Sequence, residues 1–313
     1  MGRQIRNCGT GNRRPVKIAV TGASGFVGRH VISALASMPD TVVTASSRRR
    51  VPVPAGVDHV AMDLGDADTA FERLGSPDVV IHLAWEGLPN YRDRRHFEVE
   101  LPAQYRFLKA LVTAGLPSLV VAGTCYEYGM ASGCLKEDFE GQPSNPYGFA
   151  KLMLLRQLQF LKVQLPFSLS WARLFYMWGE GQAPSSLYPL LAAAAARGDP
   201  TFPMSGGEQL RDYLPVKTVA HQLVALARAG ADAGVVNICS GEPVAIRTLV
   251  ERWIAENGWP ITPDLGKYPY PDYEPLAFWG SNKRLRSDLA TVIAISAGDH
   301  QIFNHNTDKS RKS

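Results

Sequence analysis

Tyr147 and Lys151 stand four residues apart in the segment Asn145-Pro146-Tyr147-Gly148-Phe149-Ala150-Lys151. On a helix that spacing puts both side chains on one face, with Cβ atoms about 5–6 Å apart. A tyrosine with an ordinary pKa of about 10 transfers protons poorly at neutral pH. An ammonium a few ångströms away favours the phenolate. At an effective dielectric of about 20 the attraction is on the order of 3–4 kcal/mol, or roughly two to three pKa units. Lys151 is therefore expected to bring Tyr147 close to working pH. The alternative is a helix with an exposed tyrosine and lysine. Thr124 closes an apolar run 23 residues earlier, where its hydroxyl can hydrogen-bond a substrate oxygen beside the tyrosine.

A second chemistry-bearing stretch is Thr21-Gly22-Ala23-Ser24-Gly25-Phe26-Val27-Gly28. It follows the apolar run 16–20, which reads as a buried strand, and opens into residues 29–36, whose apolar spacing suits a helix. Strand, glycine-rich turn and helix form the context of a dinucleotide fingerprint. Gly22 allows the tight turn, Gly25 lets backbone approach a pyrophosphate, and Gly28 lets helix and strand pack closely. The helix start then offers N–H groups and a positive dipole end to phosphate. A plain glycine turn is the bland alternative.

The next strand, 41–45, ends in Ser46-Ser47-Arg48-Arg49-Arg50. An NAD site usually has an acidic residue there for the ribose hydroxyls; three arginines stand instead. Arginine's planar fork suits phosphate, so Arg48 or Arg49, with a hydroxyl from Ser46 or Ser47, is expected to hold the 2′-phosphate of NADP. Arg50 is expected to face solvent. A basic loop in solvent is the other possibility.

These residues must be positioned by strands and helices that alternate through the first 175 positions. Further strands are expected at 57–62, 78–84, 118–122, 168–175 and 235–238, with helices at 66–74, 93–115, from 146, 187–197 and 216–229. Such alternation predicts an α/β fold, a Rossmann-type doubly wound parallel sheet whose ligands bind beyond the carboxyl ends of the strands. His82, at the end of the fourth strand, reads as a strand-capping residue rather than a proton shuttle. After residue 175 the pattern loosens and Pro, Gly, Tyr and Trp become frequent. Residues 16–175 with 211–239 are expected to form the dinucleotide domain, and 176–210 with 240–300 a smaller mixed substrate lobe. Residues 1–15 read as a disordered basic tail and 301–313 as a polar tail.

The glycine spacing G-x-x-G-x-x-G, the sequence TGASGFVG, and Thr124, Tyr147 and Lys151 in that order resemble the extended branch of the short-chain dehydrogenase/reductase superfamily, the NAD-dependent epimerase/dehydratase family. The resemblance covers roughly 16–290. It implies that Ser24, Phe26 and Val27 join the three glycines at the cofactor, that Asp63 and Leu64 lie beside the adenine, and that Leu83 and Ala84 lie behind the nicotinamide ribose. Arg211-Asp212-Tyr213-Leu214-Pro215-Val216 is similar to the family segment whose arginine contacts a nucleotide diphosphate; Arg211 pairing with a carboxylate of its own chain is the alternative. Arg173 to Gly179 resembles R-x-x-N-x-Y-G, but Tyr176 replaces the asparagine and Trp178 the tyrosine. Family dehydratases carry Asp-Glu directly after the threonine. Here Cys125 and Tyr126 stand there, so dehydration is not expected, and Glu127 is expected to aim elsewhere.

Segments 85–91, 123–129 and 204–216 look most like reductases of nucleotide-linked 4-keto-6-deoxyhexoses, typically dTDP sugars. The resemblance then implies reduction at C4 at the expense of NADPH. Tyr147 protonates the nascent alkoxide, Lys151 tunes it and holds the nicotinamide ribose, and Thr124 orients the carbonyl oxygen. Trp85, Cys125, Tyr126, Tyr176 and Arg211 are the expected substrate contacts. Two other readings stay open: a nucleotide-sugar 4-epimerase that keeps NAD bound, and an NADP(H)-binding protein without turnover. Family members are often dimers, and helices 97–113 and 147–162 are expected to supply a homodimer seam.

Composition narrows the remaining classes. The 313 residues are 45% hydrophobic and 20% charged, ordinary for a globular protein. Much of the net charge of +4 sits in the ends, which leaves a near-neutral body and little support for nucleic-acid binding. No apolar run suits a membrane span, and the first 15 residues have no signal-peptide core. The four cysteines, Cys8, Cys125, Cys134 and Cys239, lack metal-ligand spacing and read as free thiols in a reducing cytoplasm.

Overall fold

The computed structural model describes residues 14–230 and 232–287. Cys8, most of the basic tail, the end of the 240–300 segment and the 301–313 tail lie outside them. Seven parallel strands form one sheet: β1 (Val16–Thr21), β2 (Thr41–Ser47), β3 (Val57–Ala61), β4 (Val79–His82), β5 (Ser118–Thr124), β6 (Ser168–Leu174) and β7 (Gly234–Ile238). Their spatial order is β7-β6-β5-β4-β1-β2-β3. The order reverses between β1 and β4, where Thr21 lies in register with His82. A crevice opens at such a reversal beyond the carboxyl ends of the strands.

The central strands are apolar on both faces because both faces are covered. Successive side chains alternate between them. Ile18, Val20, Val79, Ile81 and Val120 pack on one side with α1 (Phe26–Ala36) and the amphipathic helix Val216–Ala229. Ala19, Val80, Leu119 and Val121 pack on the other with α2 (Leu101–Thr113) and α3 (Pro146–Gln164). Asn145 caps α3, its Oδ1 accepting from Gly148 N–H at 2.9 Å, and Pro146 occupies the first turn, where a missing N–H costs nothing.

Two helices differ from expectation. Residues 66–74 form a 3₁₀ turn (Leu64–Thr69) followed by a single α turn (Ala70–Arg73), since Asp66 has non-helical dihedrals and its carboxylate bonds back to Asp63 N–H. The 93–115 segment begins as a π-type turn, His96–Glu100, before α2. Pro102 in the first turn of α2 has no N–H, and Leu101 N–H reaches back five residues to His96 O.

The later chain builds short two-stranded pieces. Tyr176–Trp178 pairs with Tyr213–Pro215, Leu210–Arg211 with Val244–Ala245, and Thr201–Pro203 with Thr262–Asp264. Leu191, Phe202, Met204, Leu249, Val250, Trp253 and Ile261 form an apolar cluster of their own. No helix among the described residues is long and apolar enough to cross a membrane.

Candidate active site

The β1–α1 turn is built for close backbone approach. Gly22 has φ +71°, and a Cβ on it would fall 2.7 Å from Ala84 N and 2.8 Å from the Leu83 carbonyl carbon. Only glycine lets this turn lie on the Leu83–Ala84 backbone. A Cβ on Gly28 would meet Gly22 O at 2.2 Å. Gly25 is the N-cap of α1 and offers no side chain to its first-turn donors. A bare helix start beside glycine backbone fits a dinucleotide pyrophosphate. Ser24 lies in this turn, and Phe26 and Val27 open α1.

Thr124, at the end of β5, and Tyr147, in the first turn of α3, bring their hydroxyls to neighbouring positions. Tyr147 N–H donates to Tyr91 O at 3.2 Å, which satisfies one orphan donor at the helix start. Rings surround the phenol: His96 at 5.3 Å between centroids, Tyr91 at 5.6 Å and Trp85 at 5.9 Å. Lys151 is 2% exposed. Its Nζ donates to Ala122 O at 2.9 Å and lies 3.9 Å from the Trp85 ring centroid.

This geometry corrects the expected electrostatics. Lys151 spends its ammonium on Ala122 and Trp85, with Nζ 5.9 Å from the Tyr147 ring. Burial pushes the Tyr147 phenol well above its usual range, and the neighbouring Thr124 hydroxyl pulls the other way. Burial also pushes Lys151 down to about 7. In the unfolded chain the lysine titrates near 10.5, so the unfolded state binds more protons between about 7 and 10.5. Stability therefore rises with pH across that window. Lys151→Met is expected to be more stable than wild type at pH 7 by ~1 kcal/mol or more, with the difference shrinking towards pH 10. Urea unfolding at the two pH values checks this; a difference that grows with pH contradicts it.

Behind Thr124 lies a buried ion pair. Glu127, 0% exposed, accepts from Thr124 N–H at 2.8 Å, Trp171 Nε1 at 2.9 Å and Arg173 Nε at 2.7 Å. It turns back onto β5 and β6, away from the cleft. His82 is also fully buried, with Nδ1 2.8 Å from Thr21 Oγ1 and Nε2 2.6 Å from Gln104 Oε1. Gln104 Oε1 can only accept, so Nε2 carries the proton, and burial pushes the imidazole down to about 3. A neutral histidine wedged between β1 and α2 is a structural strut.

Several expected contacts are placed otherwise. Arg211, 3% exposed, faces inward: its Nη2 donates to Glu274 at 2.9 Å, and its Nη1 to the carbonyls of Leu210 and Leu276. The guanidinium is paired within its own chain in this structure. Cys125 packs among Tyr128, Leu135, Phe175 and Phe278, because the 3₁₀ turn after Thr124 carries it inward. Trp85 stacks on His96, to which its Nε1 donates at 3.1 Å, and shields Lys151. Ser47 Oγ is spent on Arg49 O and His59, and Arg48 forms an ion pair with Glu86. Asp63 Oδ1 accepts from Gly65 N–H, capping the turn that contains Leu64.

Tyr126 and Tyr176 do line a cleft of about 510 Å³, together with Asn90, Tyr91, Tyr213 and Glu274. Tyr91, His96, Gln104 and Glu274 were not legible as site residues. Tyr91 and His96 sit in a loop and a distorted turn without periodicity, and Glu274 lies among prolines and tyrosines 63 residues from Arg211.

No His/Cys/Asp/Glu cluster that could hold a metal ion occurs among the described residues. Cys125, Cys134 and Cys239 are free thiols.

A seven-stranded parallel sheet with a glycine turn at its switch point, and a threonine–tyrosine–lysine set beside it, defines a dinucleotide-dependent enzyme of the Rossmann class. The sequence pattern of the NAD dependent epimerase/dehydratase family matches residues 18–239, and the chain belongs to that family. It is similar to dTDP-6-deoxy-L-talose 4-dehydrogenase (NAD(+)) of Aggregatibacter actinomycetemcomitans, 28% identical over 85% of this chain and 100% of that protein. GDP-6-deoxy-D-mannose reductase of Pseudomonas aeruginosa is 30% identical over 75% of this chain and 78% of its own length. Among solved structures, MoeE5 in complex with UDP-glucuronic acid and NAD superposes with a TM-score of 0.75 at 27% identity, over 88% of this chain and 92% of that one.

Proposed function

We propose that the protein reduces the C4 keto group of a nucleotide-linked 4-keto-6-deoxyhexose, a dTDP sugar in the first instance, with NADPH as reductant. The observation that carries this reading is what surrounds the Tyr147 hydroxyl. Thr124 lies beside it, and the two positions after Thr124 hold a buried thiol and a phenol where a dehydratase would need an acid and a base. The dTDP- and GDP-6-deoxyhexose dehydrogenases and reductases to which the chain is similar, along most of its length, support reduction at C4.

The bound dinucleotide supplies the hydride. The chain positions and protonates. Gly22, Gly25 and Gly28, with backbone of Ser24, Phe26 and Val27, would hold the pyrophosphate, Asp63 and Leu64 would flank the adenine, and Leu83 and Ala84 would lie behind the nicotinamide ribose. Lys151 holds the ribose hydroxyls. Thr124 orients the keto oxygen, and Tyr147 Oη donates its proton to that oxygen as it becomes an alkoxide, a much stronger base than a phenolate. The burial that raises the Tyr147 pKa keeps this proton in place until then. Tyr126 and Tyr176 contact the sugar nucleotide from the cleft wall. Residues 16–175 and 211–239 serve the cofactor, and 176–210 with 240–287 the substrate. Phe160 and Val163, 76% and 85% exposed on α3, support a homodimer through α2 and α3.

Incubation with a panel of nucleotide 4-keto-6-deoxy sugars and NADPH, with NMR of the product, tests the reading. A new C4 hydroxyl with stoichiometric NADPH consumption is expected; no consumption with any member refutes it. NADPH is expected to be preferred to NADH by roughly 10- to 150-fold, one charged contact of ~1.5–3 kcal/mol. Arg48→Ala/Arg49→Ala should remove most of that ratio. Equal kcat/KM with NADH in the unmodified protein defeats the NADP assignment. Two observations favour a second reading, 4-epimerisation with retained NAD: Arg48 is already ion-paired to Glu86, and MoeE5 was solved with NAD. Cofactor that stays bound through purification would establish it. A protein that binds NADP(H) without turnover is the third reading.

A further inference from the structure

Glu274 sits in the wall of the 510 Å³ cleft with its carboxylate 9% exposed. One oxygen accepts from the hydroxyls of Tyr126, at 2.6 Å, and Tyr176, at 2.5 Å. The other accepts from Arg211 Nη2 at 2.9 Å and Nε at 3.3 Å. The guanidinium rests 4.6 Å from the Phe278 ring centroid, and Nη1 is tied to two carbonyls. A planar fork held this rigidly, on an aromatic floor beside a cleft, matches a phosphate as well as it matches a carboxylate. The chain supplies its own anion to it.

The segment bearing Glu274 is a strap between Gly266 and Phe278, with prolines at 269, 271 and 275. Besides the Glu274 bonds, it is fastened to the cleft's other rim by Arg92, which donates to Asp272 at 2.6 Å and lies over Tyr273. Arg92 and Glu274 are the charged residues that line the cleft. A doubly charged diphosphate entering beside a fixed carboxylate meets like charge at short range, in a setting of reduced dielectric.

We propose that Glu274 is a specificity-determining residue whose carboxylate occupies the Arg211 anion site and is exchanged for the diphosphate of the incoming nucleotide sugar. The exchange frees three donors at once: the Arg211 fork for phosphate, and the Tyr126 and Tyr176 hydroxyls for the nucleotide sugar. A neutral sugar cannot displace a carboxylate from an arginine, so the device admits sugars only when they carry the nucleotide. This inference rests on the nucleotide-sugar reading above.

The test is calorimetric titration of dTDP into wild type, Glu274→Gln and Glu274→Gln/Arg211→Gln, with thermal melts to confirm folding. Glu274→Gln keeps the shape and removes the charge, so dTDP is expected to bind at least 10-fold more tightly than to wild type. The double variant should lose that gain. Equal or weaker binding to folded Glu274→Gln overturns the exchange and makes the carboxylate a fixed brace. Should Glu274→Gln fail to fold, Glu274→Asp, which retracts the carboxylate by one methylene, is read the same way. If dTDP, UDP and GDP bind to none of these proteins, the nucleotide-sugar reading falls and the exchange with it. Unchanged dTDP affinity in an enzyme that still turns over keto-sugar nucleotides overturns the exchange alone.

Discussion

Tyr147→Phe is expected to leave dinucleotide binding near wild type and to lower turnover of a keto-sugar nucleotide by at least ~10²-fold, the usual contribution of a positioned proton donor. The substitution removes one oxygen and keeps the ring that packs against Trp85, Tyr91 and His96. Folding should therefore be little affected. Thr124 keeps the Tyr126 N–H at 3.3 Å, so the turn after β5 stays capped. Thr124 alone cannot replace the donor, since an aliphatic hydroxyl gives up its proton less readily than a phenol. Fluorescence titration of NADPH and single-turnover rates separate binding from chemistry. A variant that retained more than a tenth of wild-type turnover would show that the proton comes from elsewhere.

Arg173→Met should produce the largest loss of stability, ~3–5 kcal/mol, because it strands a carboxylate in the protein interior. Arg173 is 3% exposed and Glu127 0% exposed; the guanidinium also lies 4.4 Å from the Tyr128 ring centroid. With the arginine gone, Glu127 keeps two neutral N–H donors, from Thr124 and Trp171, which do not balance a full charge. Thr124 is held by the same carboxylate, so turnover should fall along with stability. Glu127→Gln added to Arg173→Met removes the stranded charge while an amide oxygen still accepts from Thr124 N–H. Most of the loss should return in the double variant. Denaturant unfolding of the three proteins decides it; a single variant as stable as wild type would mean that the pair is energetically idle.

The two variants probe different depths of one site. Tyr147 acts on the substrate side of Thr124, and Glu127 with Arg173 on its interior side. Loss of turnover without loss of stability is the signature of the first, and loss of both that of the second.

The sequence by itself determined what local chemistry can specify. Apolar runs separated by helices require a parallel sheet covered on both faces, and a parallel sheet of seven strands is what forms. Gly22 and Gly28 mark a turn where only glycine escapes steric collision, and the collisions a Cβ would meet there are with backbone. Asn145-Pro146 marks a helix start, which fixes Tyr147 and Lys151 on one face. These signals are carried by residue types a few positions apart, even where, as at Gly22, the backbone they make room for comes from Leu83 and Ala84.

Only the tertiary structure decided which charges meet. Arg211 finds Glu274 across 63 residues, Arg48 finds Glu86, and Glu127 finds Arg173 across two strands. No periodicity announces such pairs, because each depends on where distant loops settle. The tertiary structure also set the sign of the Tyr147 shift. Spacing alone places an ammonium near the phenol, whereas packing buries both, and desolvation then opposes either charge. That is a property of the surroundings, which four residues of helix cannot encode.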